Sequence, residues 1–210
     1  MANRAYKGRR FEIWLANRLS MWWTNGERDD VFWHTHDSGG RATRRTRKGK
    51  ATKGLHGDIC AVDLMGQSLL ELVTIEAKRG YPGVSLQDLL DKPSGKRGTA
   101  GNNYHDWIEK AVASSKAAGT PHWMLVTRKD QREALVLVPI SLVDDLGRYT
   151  HDEWINNYVD LRNNRMIKNL TCPDCCKGEI WVFLLEDFLS ITTPKHIGQL
   201  HCALFPEWGN

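Results

Sequence analysis

Apolar residues near the start of the chain recur at the spacing of one helical face. They are Phe11, Trp14, Leu15, Leu19 and Trp22. Successive members are three, one, four and three residues apart, which matches the 3.6-residue period of an α-helix. The pattern therefore predicts an amphipathic helix over residues 6–23.

Further along, short apolar runs alternate with segments of helical spacing, of which residues 106–118 are the clearest. The predicted strands are residues 31–36, 59–64, 69–77, 122–127, 134–138 and 179–185, and the further predicted helices are residues 106–118, 142–146 and 152–161. Turn-forming residues separate the second and third strands, so these two are expected to form a β-hairpin. This alternation of helices and strands predicts an α/β fold.

Charged residues interrupt the apolar pattern at the ends of two of these strands. Asp58 begins one strand, and Glu76 and Lys78 end the next. Because side chains alternate between the two faces of a strand, Glu76 and Lys78 share one face and Ala77 points to the other. Two carboxylates and a lysine that meet at one place can hold a hard divalent cation beside a phosphodiester.

Whether Asp58 reaches Glu76 depends on the geometry of the predicted hairpin. A regular two-residue turn at Gly66 and Gln67 would place Asp58 opposite Ile75, and therefore on the face away from Glu76. Convergence of the two acids requires a loop of odd length or a β-bulge. The register is thus a structural test of the proposed site.

Composition narrows the class of protein. The 210 residues carry a formal net charge of +4 and include nine tryptophans, some of which are expected in the core and others in stacking contacts. We find no apolar segment long enough to span a membrane and no secretory signal, and the five cysteines do not form the pattern of a secreted disulfide framework. A cytoplasmic protein without a membrane partner is expected.

Basic residues are concentrated in two loops on either side of the acidic positions. The first loop carries Arg41, Arg44, Arg45, Arg47, Lys48, Lys50 and Lys53 without an acidic residue, and the second includes Lys96 and Arg97. A basic run is often only a solvated loop. The first loop leads directly to Asp58, so any phosphate that it binds would lie beside the acids. We therefore predict that both loops contact DNA.

Cysteine and histidine residues near the C-terminus have spacings that occur in zinc sites. Cys172 and Cys175 form a Cys-x-x-Cys pair, and His196 and His201 are separated by four residues. Four such ligands would make a structural zinc site, while buried cysteines or an incidental turn explain the same residues without metal.

The acidic positions resemble the motif of the PD-(D/E)XK nuclease superfamily. Gly57-Asp58 corresponds to the family's Pro-Asp, with glycine in place of proline, and Glu76-Ala77-Lys78 corresponds to its Glu-x-Lys. The resemblance implies that Asp58, Glu76 and the backbone carbonyl of Ala77 bind Mg²⁺, that Mn²⁺ substitutes for it, and that Lys78 assists the attack of water. The role of Lys78 as base, water-orienting group or charge stabiliser remains open.

The first predicted helix adds a narrower resemblance, to archaeal and phage Holliday junction resolvases. Residues 7–16 are similar to the first helix of those enzymes, in which a glutamate joins the metal cluster and a loop serine contributes to activity. The corresponding candidates are Glu12 and Ser38, and a solvated surface glutamate is an equal explanation for Glu12.

This resemblance also implies an architecture and a set of partners. The expected fold is restriction-endonuclease-like, with an αβββαβ core and a mixed sheet flanked by helices in residues 1–140. A C-terminal α+β extension is expected in residues 141–210, either as an addition to the same sheet or as a small appended unit. A junction resolvase would act on branched DNA as a homodimer in a bacterial or phage-infected cell. A nicking or restriction-type nuclease and a non-catalytic DNA-binding module with the same fold are the alternatives.

Overall fold

The computed structural model describes residues 4–35, 56–81, 83–87, 89, 103–150, 154–155, 168–172 and 178–206. Its α-helices are α1 (Arg4–Trp23), α2 (Gln67–Leu72), α3 (Tyr104–Ala118), α4 (Ile140–Tyr149), α5 (Leu185–Ile191) and α6 (Pro194–Leu204). Its strands are β1 (Phe32–His34), β2 (Ile59–Ala61), β3 (Val73–Arg79), β4 (His122–Arg128), β5 (Ala134–Pro139), β6 (Lys168–Cys172) and β7 (Gly178–Leu184). A 3₁₀ helix (Leu64–Gly66) precedes α2.

Five strands form one mixed sheet, in the order β3-β4-β5-β7-β6. Strands β3 and β4 are parallel, with helix α3 as the connection between them, and the other neighbours are antiparallel. Strands β1 and β2 form a separate antiparallel pair, in which Trp33 lies opposite Cys60. Strand β3 is therefore an edge strand of the large sheet, and its free edge faces β2 and the residues just before it.

Helices cover both faces of the sheet, and alternate residues of each strand enter two different cores. On one face, Ile75, Val126 and Val136 pack with α1, α4, α5 and α6. On the other face, Leu125 and Leu137 pack under α3. This division explains why the central strands read as continuous apolar runs in the sequence, since both of their faces are buried.

Local signals account for the ends of α3. The side chain of Asn103 accepts a hydrogen bond from the backbone N–H of Asp106, which caps the N-terminus. Gly119 ends the helix with a φ of 74°, a left-handed conformation that glycine adopts without strain. The predicted end of this helix before Gly119 is confirmed.

The predicted hairpin between residues 59 and 77 is wrong. Strand β2 ends at Ala61, and residues 64–72 form the 3₁₀ helix and α2 before β3 begins at Val73. Asp63 starts this connection by accepting a hydrogen bond from the N–H of Met65. Leu69 and Leu72 are buried on one face of α2. An apolar run with this three-residue spacing is compatible with a helical turn as well as with a strand, so periodicity alone did not separate the two.

The other predicted elements are found with small shifts at their ends. Helices α1 and α4 and strands β1, β3, β4, β5 and β7 overlap the segments that the sequence indicated. Of the predicted helix over residues 152–161, only Trp154 and Ile155 are described, and both are helical. In the part of the chain that is described, no helix has the length and hydropathy of a membrane span.

Candidate active site

Three oxygen atoms converge on the ammonium group of Lys78 at the edge of the sheet. They are Asp58 Oδ2, Glu76 Oε2 and the carbonyl oxygen of Ala77, and each lies 3.0 Å from Lys78 Nζ. Glu76 is 1 % exposed and Asp58 is 6 % exposed. The predicted orientation of Glu76 and Lys78 on the same face of β3 is therefore confirmed. The two acids are brought together by the lysine that both contact.

Asp58 reaches this point along the free edge of β3. Its backbone N–H donates to the carbonyl of Ile75 at 2.7 Å, and its Oδ2 accepts a hydrogen bond from the N–H of Ala77 at 2.9 Å. Both groups on β3 belong to the edge opposite β4. In a hairpin, Asp58 would have to share a strand face with Glu76 to approach it. The Asp58 carboxylate instead reaches Lys78, the partner of Glu76, along the edge of β3, so neither a bulge nor an odd-length loop is involved.

Gly57 makes this approach sterically feasible. Its φ is 88°, and a Cβ atom at this position would lie 2.7 Å from the carbonyl oxygen of Ile75. Proline cannot adopt a positive φ, and any side chain here would push the segment away from β3. The departure from Pro-Asp to Gly57-Asp58 thus has a direct conformational reason.

The charges of the site favour the ionised forms of Asp58 and Lys78. Burial alone would raise the pKa of Asp58, but Lys78, Lys110 and the N–H of Ala77 outweigh it and lower that pKa below its ordinary value. Burial alone would lower the pKa of Lys78, but Asp58 and Glu76 raise it above its ordinary value. Asp58 and Lys78 therefore form a buried ion pair at 3.0 Å.

Glu12 of helix α1 belongs to the same electrostatic environment. Its pKa is raised to about 7, first by burial and then by the negative charge of Asp58, with a smaller contribution from Glu76. Lys78 and Lys110 act in the opposite direction. This influence places Glu12 near the two acids, and its carboxyl group changes charge close to neutral pH.

Two further contacts to Glu76 were not predicted from the sequence. Lys110 Nζ lies 2.7 Å from Glu76 Oε2, and Ser114 Oγ donates to Glu76 Oε1 at 3.0 Å. Both residues belong to α3 and are four positions apart, so they lie on one helical face. The four-residue spacing indicates from the sequence that Lys110 and Ser114 share a helical face. It does not indicate which strand this face of α3 contacts.

Among the described residues, no three His, Cys, Asp or Glu side chains are grouped so that they could hold a metal ion together. The third oxygen beside Asp58 and Glu76 is a backbone carbonyl. A separate pocket of about 360 Å³ lies beside the N-terminal half of β3, where Thr74 and His56 contribute to its wall. Asp58 and Glu76 do not line this pocket, so it is distinct from the acidic site.

Several predicted residues lie outside the described part of the chain. They are Ser38, Arg41, Arg44, Arg45, Arg47, Lys48, Lys50, Lys53, Lys96, Arg97 and Cys175. For Cys172 the backbone is described but the side chain is not.

The two histidines of the predicted zinc site have other partners in the structure. His196 Nδ1 accepts a hydrogen bond from the N–H of Thr193, as part of the capping box of α6. His201 Nε2 lies 2.7 Å from Glu71 Oε2. The zinc site with Cys172 and Cys175 stays a prediction.

Comparison with known proteins agrees with the geometry at the edge of β3. A family described as "Phage putative PDDEXK endonuclease" matches the chain over residues 3–193. Comparisons with curated proteins and with solved structures find no match. The match covers most of the 210 residues and includes every residue of the acidic site. The chain therefore belongs to this PD-(D/E)XK endonuclease family and is an enzyme of the nuclease class.

Proposed function

We propose that this protein is a divalent-metal-dependent endonuclease that hydrolyses phosphodiester bonds in DNA. The observation that carries the proposal is the placement of Asp58 Oδ2, Glu76 Oε2 and Ala77 O, each 3.0 Å from the ammonium nitrogen of Lys78. An ion bound by all three oxygens would displace this ammonium group from its central position. Carboxylate and carbonyl oxygens are the ligands that Mg²⁺ prefers, so the donor set fits this ion. Mn²⁺ is expected to substitute, and Ca²⁺ to bind without supporting efficient cleavage.

Each site residue would have a separate role in the reaction. Asp58, Glu76 and the carbonyl of Ala77 would hold the ion. When bound, such an ion lowers the pKa of a water molecule and stabilises negative charge on the phosphoryl group. Glu12 is close enough to influence both acids and would orient water or complete a second metal position.

Lys78 is best suited to stabilise charge. Its ammonium group donates hydrogen bonds to three acceptors, the two carboxylates and the carbonyl of Ala77, which favours retention of its protons. A lysine that keeps its protons is a poor general base but a good partner for the negative charge that develops on a phosphate during hydrolysis.

The basic loops would supply affinity for the DNA backbone. The first loop precedes Asp58 in the sequence, and the second follows β3. Contacts from lysine and arginine to phosphates provide binding energy and position without reading the base sequence. Ser38 is proposed to assist activity from the first of these segments.

We further infer that residues 1–140 contain the αβββαβ core of the superfamily. Helix α1, strands β1 to β3, helix α3 and strand β4 follow this order, with α2 inserted before β3. The C-terminal extension would then add β7 and β6 at the edge of the sheet that is farthest from β3, since β7 pairs with β5.

The substrate that we propose is a branched DNA, with the four-way junction as the leading candidate. The support is the similarity of residues 7–16 to the first helix of junction resolvases, together with the position of Glu12 near the acids. Symmetric cutting of two strands would require a homodimer. Such an enzyme would act in DNA recombination or repair, in the cytoplasm of a bacterial or phage-infected cell.

The first test compares three labelled substrates in Mg²⁺: a four-way junction, the matched linear duplex and the single strand. Wild type is expected to cut the junction symmetrically, and Glu76→Ala to bind it without cutting. Equal cleavage in EDTA would contradict the metal dependence. Cutting of linear DNA alone would favour a nicking or restriction-type nuclease. Tight, salt-sensitive binding without any cleavage would favour a non-catalytic binding module.

A second measurement tests the homodimer. The chain has a mass of 24.0 kDa, so sedimentation equilibrium should give about twice that value. A monomer at the concentrations that support junction cleavage would contradict the resolvase assignment but not the nuclease assignment.

A further inference from the structure

Glu76 is shared by two lysines with very different access to solvent. Lys78 Nζ lies 3.0 Å and Lys110 Nζ lies 2.7 Å from the same atom, Glu76 Oε2. The side chain of Lys78 is 14 % exposed, whereas that of Lys110 is 48 % exposed. Lys110 therefore extends from solvent to an acid that is almost completely buried. Its ammonium group already lies close to water, so it can leave Glu76 and become hydrated with less rearrangement than that of Lys78.

The backbone that carries Lys110 is held in place by the core. Trp107, Ile108 and Ala111 are buried residues of α3 itself, close to Lys110 in the sequence. Ser114, one turn further along, donates to the other carboxylate oxygen of Glu76. The position of the Lys110 backbone relative to Glu76 is therefore set by packing, and only its long side chain has freedom to move.

The formal charges of the site explain why Lys110 would move. Asp58 and Glu76 are matched by Lys78 and Lys110 in the metal-free protein. A divalent cation held by the same carboxylates would leave the site with excess positive charge even with Glu12 ionised, and the half-exposed lysine has the easier route away from it. In a nuclease, the acceptor available at that position is a phosphate of the DNA.

We infer that Lys110 is a second functional lysine of this site. It competes with the divalent cation for Glu76, and after release from that carboxylate it contacts a DNA phosphate next to the bond that is cut. The inference rests on the proposed function, and it assigns a substrate contact to a residue outside the PD-(D/E)XK motif.

The first part is tested by Mn²⁺ binding without DNA, measured by calorimetry or electron paramagnetic resonance. Lys110→Gln removes the competing ammonium, so we expect Mn²⁺ to bind roughly threefold to tenfold more tightly, a range that allows for solvent screening of a half-exposed charge. Lys116→Gln is the matched control, because Lys116 is an exposed lysine of the same helix. It removes the same charge and should leave Mn²⁺ affinity unchanged. Lys110→Arg should restore the wild-type value.

The second part is tested by DNA binding in Ca²⁺ over a series of salt concentrations. If Lys110 contacts one phosphate, the Lys110→Gln variant should bind DNA more weakly than wild type. The slope of its log affinity against log salt concentration should be smaller by about one. Lys116→Gln should change the DNA affinity and the salt slope less than Lys110→Gln does. A thermal melt of each variant shows whether the fold is retained.

The outcomes separate the inference from the function on which it rests. Unchanged or weaker Mn²⁺ binding by Lys110→Gln would show that Lys110 only supports Glu76, and would overturn the inference. A salt slope equal to that of Lys116→Gln would overturn the phosphate contact. Wild-type protein that neither binds Mn²⁺ nor cleaves DNA would overturn the proposed function and the inference together.

Discussion

The two faces of strand β3 have opposite chemistry although they alternate residue by residue. One face carries Val73, Ile75 and Ala77, which are buried in the larger core. The other face carries Glu76 and Lys78, which contact each other, and Glu76 also contacts helix α3. In strands β4 and β5, by contrast, the side chains on the α3 face include Leu125 and Leu137 and carry no charge. The charged face of β3 is therefore an exception within a mostly apolar layer.

The difference shows how the fold offsets the unfavourable free energy of burying two acids. A buried carboxylate without partners is strongly destabilising, so each acid here has cationic or hydrogen-bonding partners. The apolar face anchors β3 in the core and thereby fixes where the polar side chains lie. Mutations on the apolar face should lower stability with little effect on cleavage per folded molecule, whereas mutations on the polar face should lower both stability and cleavage.

Lys78→Met is expected to produce the largest change in activity. It removes the charge that Asp58 and Glu76 share, so cleavage per folded molecule should fall by about 10²- to 10³-fold. Stability should also fall by about 3–5 kcal/mol, because a buried pair is broken. The matched control is Arg79→Met, since Arg79 is the next residue of β3 and pairs with the exposed Asp130. Its effect on stability should be within about 1 kcal/mol. Similar losses of activity in both variants would contradict the division of the faces.

Ile75→Ala should lower stability to a similar extent without lowering cleavage per folded molecule. Ile75 is fully buried on the apolar face, so the truncation should lower the free energy of unfolding by about 2–5 kcal/mol. Cleavage per folded molecule should remain near the wild-type value at temperatures where the variant is folded. Chemical denaturation and a cleavage assay on the same preparation measure both quantities. A loss of activity comparable to that of Lys78→Met would show that the two faces are not separable.

Gly57→Ala tests how Asp58 is brought to the edge of β3. The positive φ of Gly57 and the close carbonyl of Ile75 leave no space for a Cβ atom. We expect a loss of stability of about 1–3 kcal/mol together with reduced cleavage, because the segment that positions Asp58 must shift. Gly119→Ala is the control: Gly119 also has a positive φ, but no atom lies within 4 Å of a Cβ built there. It should lose stability without a comparable loss of activity.

Glu12→Gln is expected to have the smallest effect, and one that depends on pH. The pKa of Glu12 is about 7 in the folded protein, above its ordinary value of 4.5. The stability that its protonated form contributes is fully present below pH 4.5 and is lost as the pH rises through 7. The metal-free variant should therefore be more stable than wild type at pH 8, and this difference should shrink towards pH 5. Thermal unfolding in EDTA at both pH values measures it, and a difference independent of pH would contradict the raised pKa.

Part of the site could be identified from local sequence alone. The two-residue period of a strand is sufficient to place Glu76 and Lys78 on one face, and the structure confirms it. The long-range contacts were not accessible in this way. Lys110 and Ser114 approach Glu76 because a parallel connection packs α3 over β3, and the sequence of α3 does not state its partner.

The sequence by itself determined the amphipathic helix α1, the buried strands, the end of α3 at Gly119 and the nuclease motif. These features depend on interactions between residues that are near each other in the chain. Their periodicity can therefore be determined directly from the order of residues. Only the tertiary structure decided that residues 67–72 are helical, that Asp58 meets Glu76 along a free strand edge, and that α3 supplies two further contacts. Each of these depends on the packing of distant segments, whose burial and hydrogen bonding outweigh local preference.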